Sequence, residues 1–423
     1  MNNKIRRVRL RILTYQPAIR QLRPWPLLGK HISKSHASLH HPNHHPITTT
    51  TTTKLIVSHH LKMDQIIQRA IEQTRAATRA RESVPWEEDK PYPQQIHTFD
   101  ISTQTWKPSP SCTPTPKGET GAAGQDDEEI THLAVLSWNI DYMLPHAQSR
   151  MEAGLSELRR QIDLLPRSTA AAIFLQECVL SDLRTIATAE WVREGFRVTD
   201  RRATNWGSGM YGTTTLVDRR LGVESCFRVH YAASRPGMDR DGLFVDVVVP
   251  SKGDGKGKGK VVRLCNSHLE SLALEPPFRP IQVGVMARFM HGAGEGEDGK
   301  TKLCGAIAAG DFNAIQPFDR TLHSDNGLTD AYIALGGAED DEAGYTWGQQ
   351  ASTALRKQFG CSRMDKVYLT SSGWGGLKLE RFDRFGTDVE LDDPAMRQEI
   401  VELGFEKGWI TDHLGVMAVV EVV

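Results

Sequence analysis

Short apolar runs that end at turn or polar residues recur from residue 130 to the end of the chain. The runs with the length of a strand lie at 132–139, 170–177, 212–218, 242–249, 260–268, 302–311, 364–371 and 413–423. Because such bounded apolar runs are typical of buried strands, we predict a strand at each of them. The Gly- and Lys-rich stretch between the runs at 242–249 and 260–268 predicts a hairpin. The segment "ERFDRFG" at 380–386 is not followed by an apolar run and is predicted to be a loop.

Helical periodicity appears in fewer places. In "MEAGLSELRRQIDLLP" the apolar side chains share one helical face, formed by Leu155, Leu158, Ile162 and Leu165. A second helix is predicted after Pro280, because the next apolar positions are spaced four residues apart, at Ile281, Val285 and Phe289. Many strands with a few helices between them indicate an α/β fold, in which two mixed sheets pack face to face with the helices outside.

The chain before residue 130 has a different composition, which sets the predicted domain boundaries. Residues 1–62 are basic and rich in His and Thr, and we predict a disordered, low-complexity extension. A wrongly chosen start codon is the alternative, because helical periodicity begins at Met63 and predicts a helix over 63–82. Residues 83–129 are rich in Pro, Ser and Thr and predict a linker or docking arm. Residues 130–423 form the predicted main domain.

Charge and cysteine content narrow the class of protein. Residues 1–62 contain 11 Lys or Arg and no Asp or Glu, so the rest has 51 − 11 = 40 basic against 52 acidic residues, a net charge of −12. The six cysteines have no paired or metal-binding spacing, which indicates a reducing compartment. No apolar stretch approaches the roughly 18 residues that a membrane span needs. We therefore predict no membrane association.

Polar groups suited to a metal ion or a phosphate stand at the ends of several apolar runs. They are Asn139, Glu177, His268, Asp311, Asn313, Asp412 and His413. One such residue alone would be interpreted as a turn or cap, but their repetition at strand ends indicates an active site. Carboxylate and carboxamide oxygens are hard ligands, which favours Mg²⁺, with Mn²⁺ as the alternative. Imidazoles beside such a cation suit hydrolysis of a phosphate ester.

In order and spacing, the motifs "WNID", "LQE", "SHLES", "GDFN", "RMD" and "TDH" resemble the signatures of the endonuclease/exonuclease/phosphatase superfamily, over about residues 130–423. "SWNID", "FLQE", "SHLES" and "DHLG" most resemble the tyrosyl-DNA phosphodiesterase 2 branch. The resemblance implies a four-layered α/β sandwich of two mixed β-sheets flanked by helices. It also implies one active site at the edge of the sheets and a mechanism with a single Mg²⁺.

The resemblance assigns the metal and the attacking water to four residues. Glu177 is expected to be the principal metal ligand, with Asn139 beside it, contacting metal-bound water or phosphate. Asp311 is expected to orient and deprotonate the attacking water. Asn313 is expected to hold this nucleophile or a phosphoryl oxygen, on the same side of the strand as Asp311, because successive strand residues alternate between faces.

The resemblance assigns the phosphoryl group to the two imidazoles. His268 and His413 are expected to bind its nonbridging oxygens, and Asp412 to orient the His413 ring. Asp365 of "RMD" matches a position near the imidazole or the metal; an ion pair with Arg363 is the alternative.

Three further residues are expected to contact the substrate. Ser271 matches a phosphate contact, and Trp347 an aromatic side chain that stacks on an unpaired base. The branch has a basic residue just after "SHLES", but this chain continues "LALEPPFRP", so Arg279 is expected to substitute for it.

The sequence thus predicts a Mg²⁺-dependent phosphodiesterase that hydrolyses 5′-phosphotyrosyl links left on DNA by topoisomerase. Its expected partner is a DNA 5′ end or another phosphodiester, and nothing indicates an obligate protein partner. The alternatives are another nuclease or small-molecule phosphatase of the same superfamily, and a catalytically inactive scaffold. A repair function favours the nucleus or the cytoplasm, and the Arg-rich start keeps the mitochondrion as an alternative.

Overall fold

The strands form two mixed sheets in the part of the chain that the computed structural model describes, residues 84–109, 129–250, 259–292, 303–370 and 376–423. They are β1 (Pro91–Pro93), β2 (His97–Asp100), β3 (Thr105–Pro108), β4 (His132–Asn139), β5 (Thr169–Cys178), β6 (Phe196–Val198), β7 (Gly212–Asp218), β8 (Gly222–His230), β9 (Asp241–Val249), β10 (Lys260–Ser267), β11 (Leu303–Asp311), β12 (Leu328–Asp330), β13 (Asp365–Thr370), β14 (Leu377–Phe385) and β15 (Gly415–Val422). The seven-stranded sheet has the order β1-β8-β9-β10-β11-β13-β12. The eight-stranded sheet has the order β14-β15-β4-β5-β7-β6-β2-β3.

Helices cover the outer faces of the sheets. They are α1 (Ala147–Asp163), α2 (Leu180–Thr188), α3 (Glu190–Gly195), α4 (Arg279–Met290), α5 (Leu322–Asp325), α6 (Ala331–Ala334), α7 (Thr353–Phe359) and α8 (Pro394–Glu402). Short 3₁₀ turns lie at Ala203–Asn205, Pro317–Arg320 and Glu342–Gly344. Among the described residues, no helix has both the length and the apolar character needed to span a bilayer.

Alternating strand residues divide the core into layers. Val135 of β4 points between the sheets and belongs to the same buried cluster as Leu264 of β10. Its neighbour Leu136 points the other way, into the cluster that contains Met151 of α1. On the far side, α4 buries Met286 in a third cluster with residues of the seven-stranded sheet. The order helix, sheet, sheet, helix confirms the predicted four-layered α/β sandwich.

Each strand predicted from an apolar run is present, with ends that differ by about two residues at most. The predicted hairpin is also confirmed, because β9 and β10 pair antiparallel. The loop prediction for 380–386 is wrong. Residues 380–385 belong to β14, an edge strand that pairs with β15 and has mostly exposed and half-buried positions, so it has no continuous apolar run.

The N-terminal arm, which we define as residues 84–109, adds one strand to the edge of the seven-stranded sheet and two to the edge of the eight-stranded sheet. Strand β1 pairs with β8, while β2 pairs with β6 and with β3. Ile96 and Phe99 of the arm are buried. The predicted extension at 1–62, the predicted helix at 63–82 and the linker residues 110–128 lie outside the described residues.

Candidate active site

The strand topology brings the predicted polar residues to one edge of the two sheets. The parallel pairs β4/β5 and β10/β11 end at this edge, and the antiparallel strands β13 and β15 begin there. Asn139 ends β4 and Asp311 ends β11, and the two side chains meet across the sheets with 3.0 Å from Asn139 Nδ2 to Asp311 Oδ2. We call this edge the catalytic edge.

One carboxylate oxygen, Asp311 Oδ2, is the centre of the group. Besides the Asn139 amide, His268 Nε2 lies 3.3 Å from it and His413 Nε2 lies 3.7 Å from it. Burial favours the protonated carboxyl, but His413, His268 and the Asn313 N–H together hold the pKa of Asp311 well below its usual range. Asp311 is therefore a buried acceptor that stays ionised.

Asn313 reaches the same carboxylate through a turn and not through strand alternation. Strand β11 ends at Asp311, and Asn313 has a left-handed φ of 48°. Its backbone N–H donates to Asp311 Oδ1 at 2.9 Å, and its Nδ2 donates to Leu269 O at 3.0 Å and contacts Asp311 Oδ2 at 3.4 Å. The two side chains are adjacent as predicted, for a different reason.

Glu177 stands at an irregularity of β5, where the register against β7 shifts between Leu175 and Cys178. Its φ of 59° is unusual for a residue other than glycine, and such strain is common at functional sites. Tyr142 N–H donates to Glu177 Oε2 at 3.0 Å, while Oε1 faces His268 Nε2 at 3.8 Å. One carboxylate oxygen is therefore held by the backbone and the other faces the centre of the site.

His268 is neutral, and its tautomer follows from its partner. Arg240 Nη1 donates to His268 Nδ1 at 2.6 Å, and an arginine can only donate, so the ring proton is on Nε2. Burial and the Arg240 charge lower the pKa of His268. The Nε2–H therefore points toward Asp311.

His413 carries a proton on both nitrogens. Its Nδ1 donates to Asp365 Oδ2 at 2.8 Å. Burial opposes the charge, but Asp365, Asp311 and Asp412 raise the pKa of His413 well above its usual value. This imidazolium is the positive charge nearest to Asp311 Oδ2 apart from any bound cation.

The residue that orients His413 is Asp365, and Asp412 has a different partner. Asp412 Oδ2 accepts a hydrogen bond from Trp347 Nε1 at 2.7 Å, and its Oδ1 is 3.8 Å from His413 Nε2. The alternative of an Asp365–Arg363 ion pair is absent, because Arg363 pairs with Asp330 at 2.9 Å.

Five carboxylates share this edge, and their charges are incompletely balanced. Burial and Asp412 raise the pKa of Asp141 to about 6, and burial raises the pKa of Asp365 to about 6 and also raises that of Asp412. Asp365 Oδ1 is buried without a hydrogen-bond partner in the described part of the chain. Such a set of oxygen donors fits a divalent cation, whose charge would reverse these shifts.

Two groups of residues could hold that cation. Asp311, Asp365 and His413 each offer one ligand atom within 4.8 Å of one another. In this group His413 Nδ1 is already hydrogen-bonded to Asp365 Oδ2 at 2.8 Å, so its Nε2 is the nitrogen that could face a cation. The second group is Glu177 and Asn139, whose side-chain oxygens also accept hydrogen bonds from the backbone N–H groups of Tyr142 and Asp141 but keep further lone pairs.

The predicted substrate residues differ in their surroundings. Ser271 is half-buried, and its hydroxyl lies 3.3 Å from Met238 Sδ. Trp347 is half-buried and forms an isolated bridge with His413, so it lies at the catalytic edge.

Arg279, which was expected to contact the substrate, is buried inside the protein. Its side chain is only 3% exposed, and its guanidinium pairs with Asp319 at 2.7 Å. It also donates to the carbonyls of Glu270 and Leu272, so it fixes the loop after "SHLES" from within and does not face a ligand.

The sequence analysis missed three side chains at this edge. Arg240, which sets the His268 tautomer, and Tyr211, whose ring stacks on Tyr142 with 4.2 Å between centroids, stand in loops without a recognisable motif. Arg150 did carry a signal, as a charge beside the apolar stripe of α1. It is fully buried and donates to the carbonyls of Ile140, Leu144, Pro145 and Ile410.

A sequence profile described as "Endonuclease/Exonuclease/phosphatase family" matches residues 136–413. The chain belongs to this family. The matched range begins in β4 and ends at His413, so the profile covers the ends of β4, β5, β10 and β11, the start of β13, and the residues just before β15. No curated protein matches the chain at a significant level.

The chain is also similar to solved structures of low sequence identity. D. rerio TDP2 complexed with single strand DNA product is 18% identical, with a TM-score of 0.48, and the match covers 69% of this chain and 99% of that one. Truncated Caenorhabditis elegans TDP2 is 22% identical, with a TM-score of 0.48 and coverage of 70% and 100%. The human Nocturnin catalytic domain with bound sulfate is 16% identical, with a TM-score of 0.43 and coverage of 70% and 96%. These similarities concern the fold alone.

Proposed function

We propose that this chain is a Mg²⁺-dependent phosphodiesterase that hydrolyses the 5′-phosphotyrosyl link between DNA and a trapped topoisomerase. The observation that carries the proposal is the convergence on Asp311 Oδ2, where Asn139, His268 and His413 all lie within 3.7 Å. An ionised acceptor surrounded by N–H donors suits a site that aims water at a phosphorus atom and stabilises charge on the phosphoryl oxygens.

The residues of the chain divide the reaction between them. Asp311 accepts a hydrogen bond from the attacking water and directs it at phosphorus. His413, held by Asp365, donates Nε2–H to a nonbridging oxygen, and the neutral His268 donates its own Nε2–H beside it. Glu177 and Asn139 would hold Mg²⁺, which supplies charge neutralisation at the phosphoryl oxygens. Water adds to phosphorus and gives a proton to Asp311, the bond from phosphorus to the tyrosyl oxygen breaks, and the leaving oxygen takes up a proton from solvent while Asp311 releases its own. A 5′-phosphate and a tyrosine hydroxyl result.

The choice of a tyrosyl leaving group is supported by the sequence motifs and by the rim of the site. The half-buried Tyr142, whose ring stacks on the buried Tyr211 ring, the exposed Met143 side chain and the half-buried Trp347 supply an aromatic and apolar rim beside a charged centre. Such a rim suits an aryl group or an unstacked base. A phenol, with a pKa of about 10, also leaves with less help from a proton donor than an alcohol does.

The test is cleavage of an oligonucleotide that carries a 5′-phosphotyrosine, with Mg²⁺ and with EDTA. We expect a 5′-phosphate product only with Mg²⁺, and a loss of at least about 10³-fold in kcat for Glu177→Gln and Asp311→Asn. Glu152→Gln, which changes an exposed carboxylate of α1, is the matched control and should keep full activity. Cleavage of other phosphodiesters without turnover of the tyrosyl substrate would refute the choice of leaving group.

A small phosphoester is the second candidate substrate, and one observation favours it. The arginine expected to grip the DNA backbone, Arg279, is committed to Asp319, and the body of the chain is acidic. A panel that adds a sugar phosphate and an abasic-site duplex to the tyrosyl oligonucleotide separates the candidates by kcat/KM. Turnover of none of them by the intact chain would favour the inactive scaffold.

A further inference from the structure

A cationic groove lies apart from the catalytic edge. It encloses about 850 Å³ and is lined by the N-terminal arm, by α2 and α3 and by the loop at 199–205. Its lining includes four arginines, Arg184, Arg193, Arg201 and Arg202, and none of the residues assigned above to the catalytic edge. The single carboxylate in the lining, Asp200, is fully buried and pairs with Arg228 at 3.2 Å.

The arginines of this groove lack counter-charges. Within the described ranges, none of the four forms an ion pair. Arg201 Nη1 is buried without a hydrogen-bond partner there. Burial and the neighbouring charges of Arg193 and Arg202 lower the pKa of Arg201, so at least three guanidinium groups repel one another. A cationic cluster of this kind is costly unless an anion occupies it.

The geometry of the groove favours a particular anion. The Arg193 guanidinium lies over the Phe99 ring at 4.8 Å, and the Arg201 guanidinium over the Trp106 ring at 5.0 Å. Stacked guanidinium planes receive nucleobases as well as phosphates, and the amide side chains of Gln94 and Gln95 add hydrogen-bonding groups to the lining. An acidic peptide would form ion pairs with the arginines but has no planar bases to stack on their guanidinium groups.

Two short stretches of chain connect the groove with the catalytic edge. Helix α2 begins three residues after Glu177, and Arg184 lies about 6 Å along its axis from the first helical residue. The loop that contributes Arg201 and Arg202 continues to Tyr211, whose ring lies 6.4 Å from the His268 ring. A single-stranded nucleic acid whose end lies at the catalytic edge could therefore reach the groove with a few nucleotides.

We propose that this groove binds the phosphate backbone of a single-stranded nucleic acid at a distance from the reacting end. The proposal takes its choice of nucleic acid from the proposed function. Under this proposal, affinity increases with the length of the oligonucleotide because of contacts with Arg184, Arg193, Arg201 and Arg202. Hydrolysis takes place at the catalytic edge.

The test is binding of fluorescein-labelled oligothymidylates of 4 and 20 nucleotides to the full chain in EDTA, so that no turnover occurs. Arg202→Glu and Arg184→Glu change exposed residues, and Arg167→Glu changes an exposed arginine before β5, outside the groove. We expect the groove variants to weaken binding of the 20-mer about tenfold at low salt, with a shallower dependence of log K on log salt. Binding of the 4-mer, melting temperatures and hydrolysis of a mononucleotide aryl phosphodiester should stay within about twofold or a few degrees of wild type.

The outcomes separate this proposal from the proposed function. Length-dependent binding that Arg202→Glu reduces and Arg167→Glu does not would support the groove even if the tyrosyl oligonucleotide is never cleaved. Equal binding of the 20-mer by wild type and all three variants would overturn it. Competition by a 20-residue polyglutamate as strong as that by the unlabelled 20-mer would also overturn it, in favour of an acidic peptide.

Discussion

Repulsion among carboxylates at the catalytic edge gives Glu177 opposite effects on stability and on activity. Glu177 faces a group that contains Asp141, Asp311 and Asp412, and it contributes to the raised pKa of Asp412. In metal-free protein, Glu177→Gln removes one of these charges while the amide oxygen still accepts the Tyr142 N–H. We expect the free energy of unfolding to rise by about 1 kcal/mol in EDTA, measured by urea titration.

The same variant should lose its response to Mg²⁺. A ligand that binds only the folded state at 100 times its Kd stabilises that state by about 2.7 kcal/mol, so wild type should melt at a higher temperature with Mg²⁺. Glu177→Gln should show a much smaller shift, and Glu152→Gln should match wild type. An equal Mg²⁺ shift in both variants would contradict the assignment of Glu177 as a ligand.

Arg150 acts through the backbone of two catalytic segments. Its guanidinium donates to Ile140 O, next to Asp141, and at 2.8 Å to Ile410 O, two residues before Asp412. Arg150→Met would leave buried carbonyls without donors, which should cost about 3 kcal/mol of unfolding free energy. Because the segments would shift, kcat should fall about 10²-fold with a smaller change in KM.

Two further variants separate positioning from general instability. Arg150→Lys keeps the charge but has fewer donors, so it should recover part of kcat. Arg159→Ala, which removes an exposed ion pair with Asp163 and a contact of the guanidinium with the Trp191 ring, should cost at most about 1 kcal/mol. If Arg150→Met lowered stability but left kcat of the folded protein unchanged, Arg150 would have a structural role only.

His230 makes stability depend on pH outside the catalytic edge. Its ring stacks on Trp86 at 3.9 Å, neither ring nitrogen has a hydrogen-bond partner among the described residues, and burial lowers the pKa of His230 to about 4. A lowered pKa means that the unfolded chain binds the proton more readily. The stabilising contribution is therefore complete above the unfolded value of 6.5 and is lost as the pH falls toward about 4.

His230→Phe keeps the stack and removes this titration. Between pH 7.5 and pH 5, wild type should lose about 2 kcal/mol more unfolding free energy than the variant, because 1.5 pH units below 6.5 correspond to that amount. Urea titrations at the two pH values measure the difference. Parallel losses in both proteins would show that His230 titrates normally in the folded state.

At the scale of elements, the sequence predicted most of the long strands that are buried on both faces, but it missed β8, whose middle positions are polar or half-buried, and the three-residue β6. Strands β4 and β11 appear as continuous apolar runs because helices or the other sheet cover each face. Strand β14 lies at an edge, with three of its nine residues exposed and five half-buried, so it has no continuous apolar run and was predicted to be a loop. A local hydrophobic pattern does not show burial that comes from pairing with a strand distant in the sequence.

The residues of the candidate site, like the strands, could be predicted from the sequence only in part. The side chains that end apolar runs, such as Asp311 and His268, were predicted because a polar residue directly after an apolar run marks the end of a buried strand. The pairing of His413 with Asp365 and not with the adjacent Asp412 depends on how β13 and β15 are placed in different sheets, which no local spacing encodes.

The N-terminal arm joins the edges of both sheets and should therefore stabilise the whole sandwich. It buries Ile96 and Phe99, each worth about 1.5 to 3 kcal/mol, and stacks Trp86 on His230. A chain beginning at residue 129 should melt at least about 6 °C below a chain beginning at residue 84, since each kcal/mol shifts the melting temperature by about 2 to 4 °C. Calorimetry of the two chains measures the shift, and equal melting temperatures would show that the arm only covers the surface.

At the scale of the whole molecule, charge is distributed unevenly along the chain. The first 62 residues carry 11 positive charges and no negative ones, while the rest carries a net charge of −12. An acidic body repels nucleic acid at long range, whereas a basic segment attracts it. Attraction to DNA and selection of the reacting end are therefore expected to belong to different parts of the chain.

Comparison of the full chain with a chain beginning at Met63 tests this division. The full chain should bind single-stranded DNA more tightly at low salt, and its log K should fall more steeply with log salt, by about 0.7 for each cation that engages a phosphate. At about 0.5 M salt the two affinities should converge, because screening removes the contribution of the basic segment. Hydrolysis of a mononucleotide aryl phosphodiester should be the same for both chains. Identical salt slopes would show that the catalytic domain and its groove supply all of the attraction by themselves.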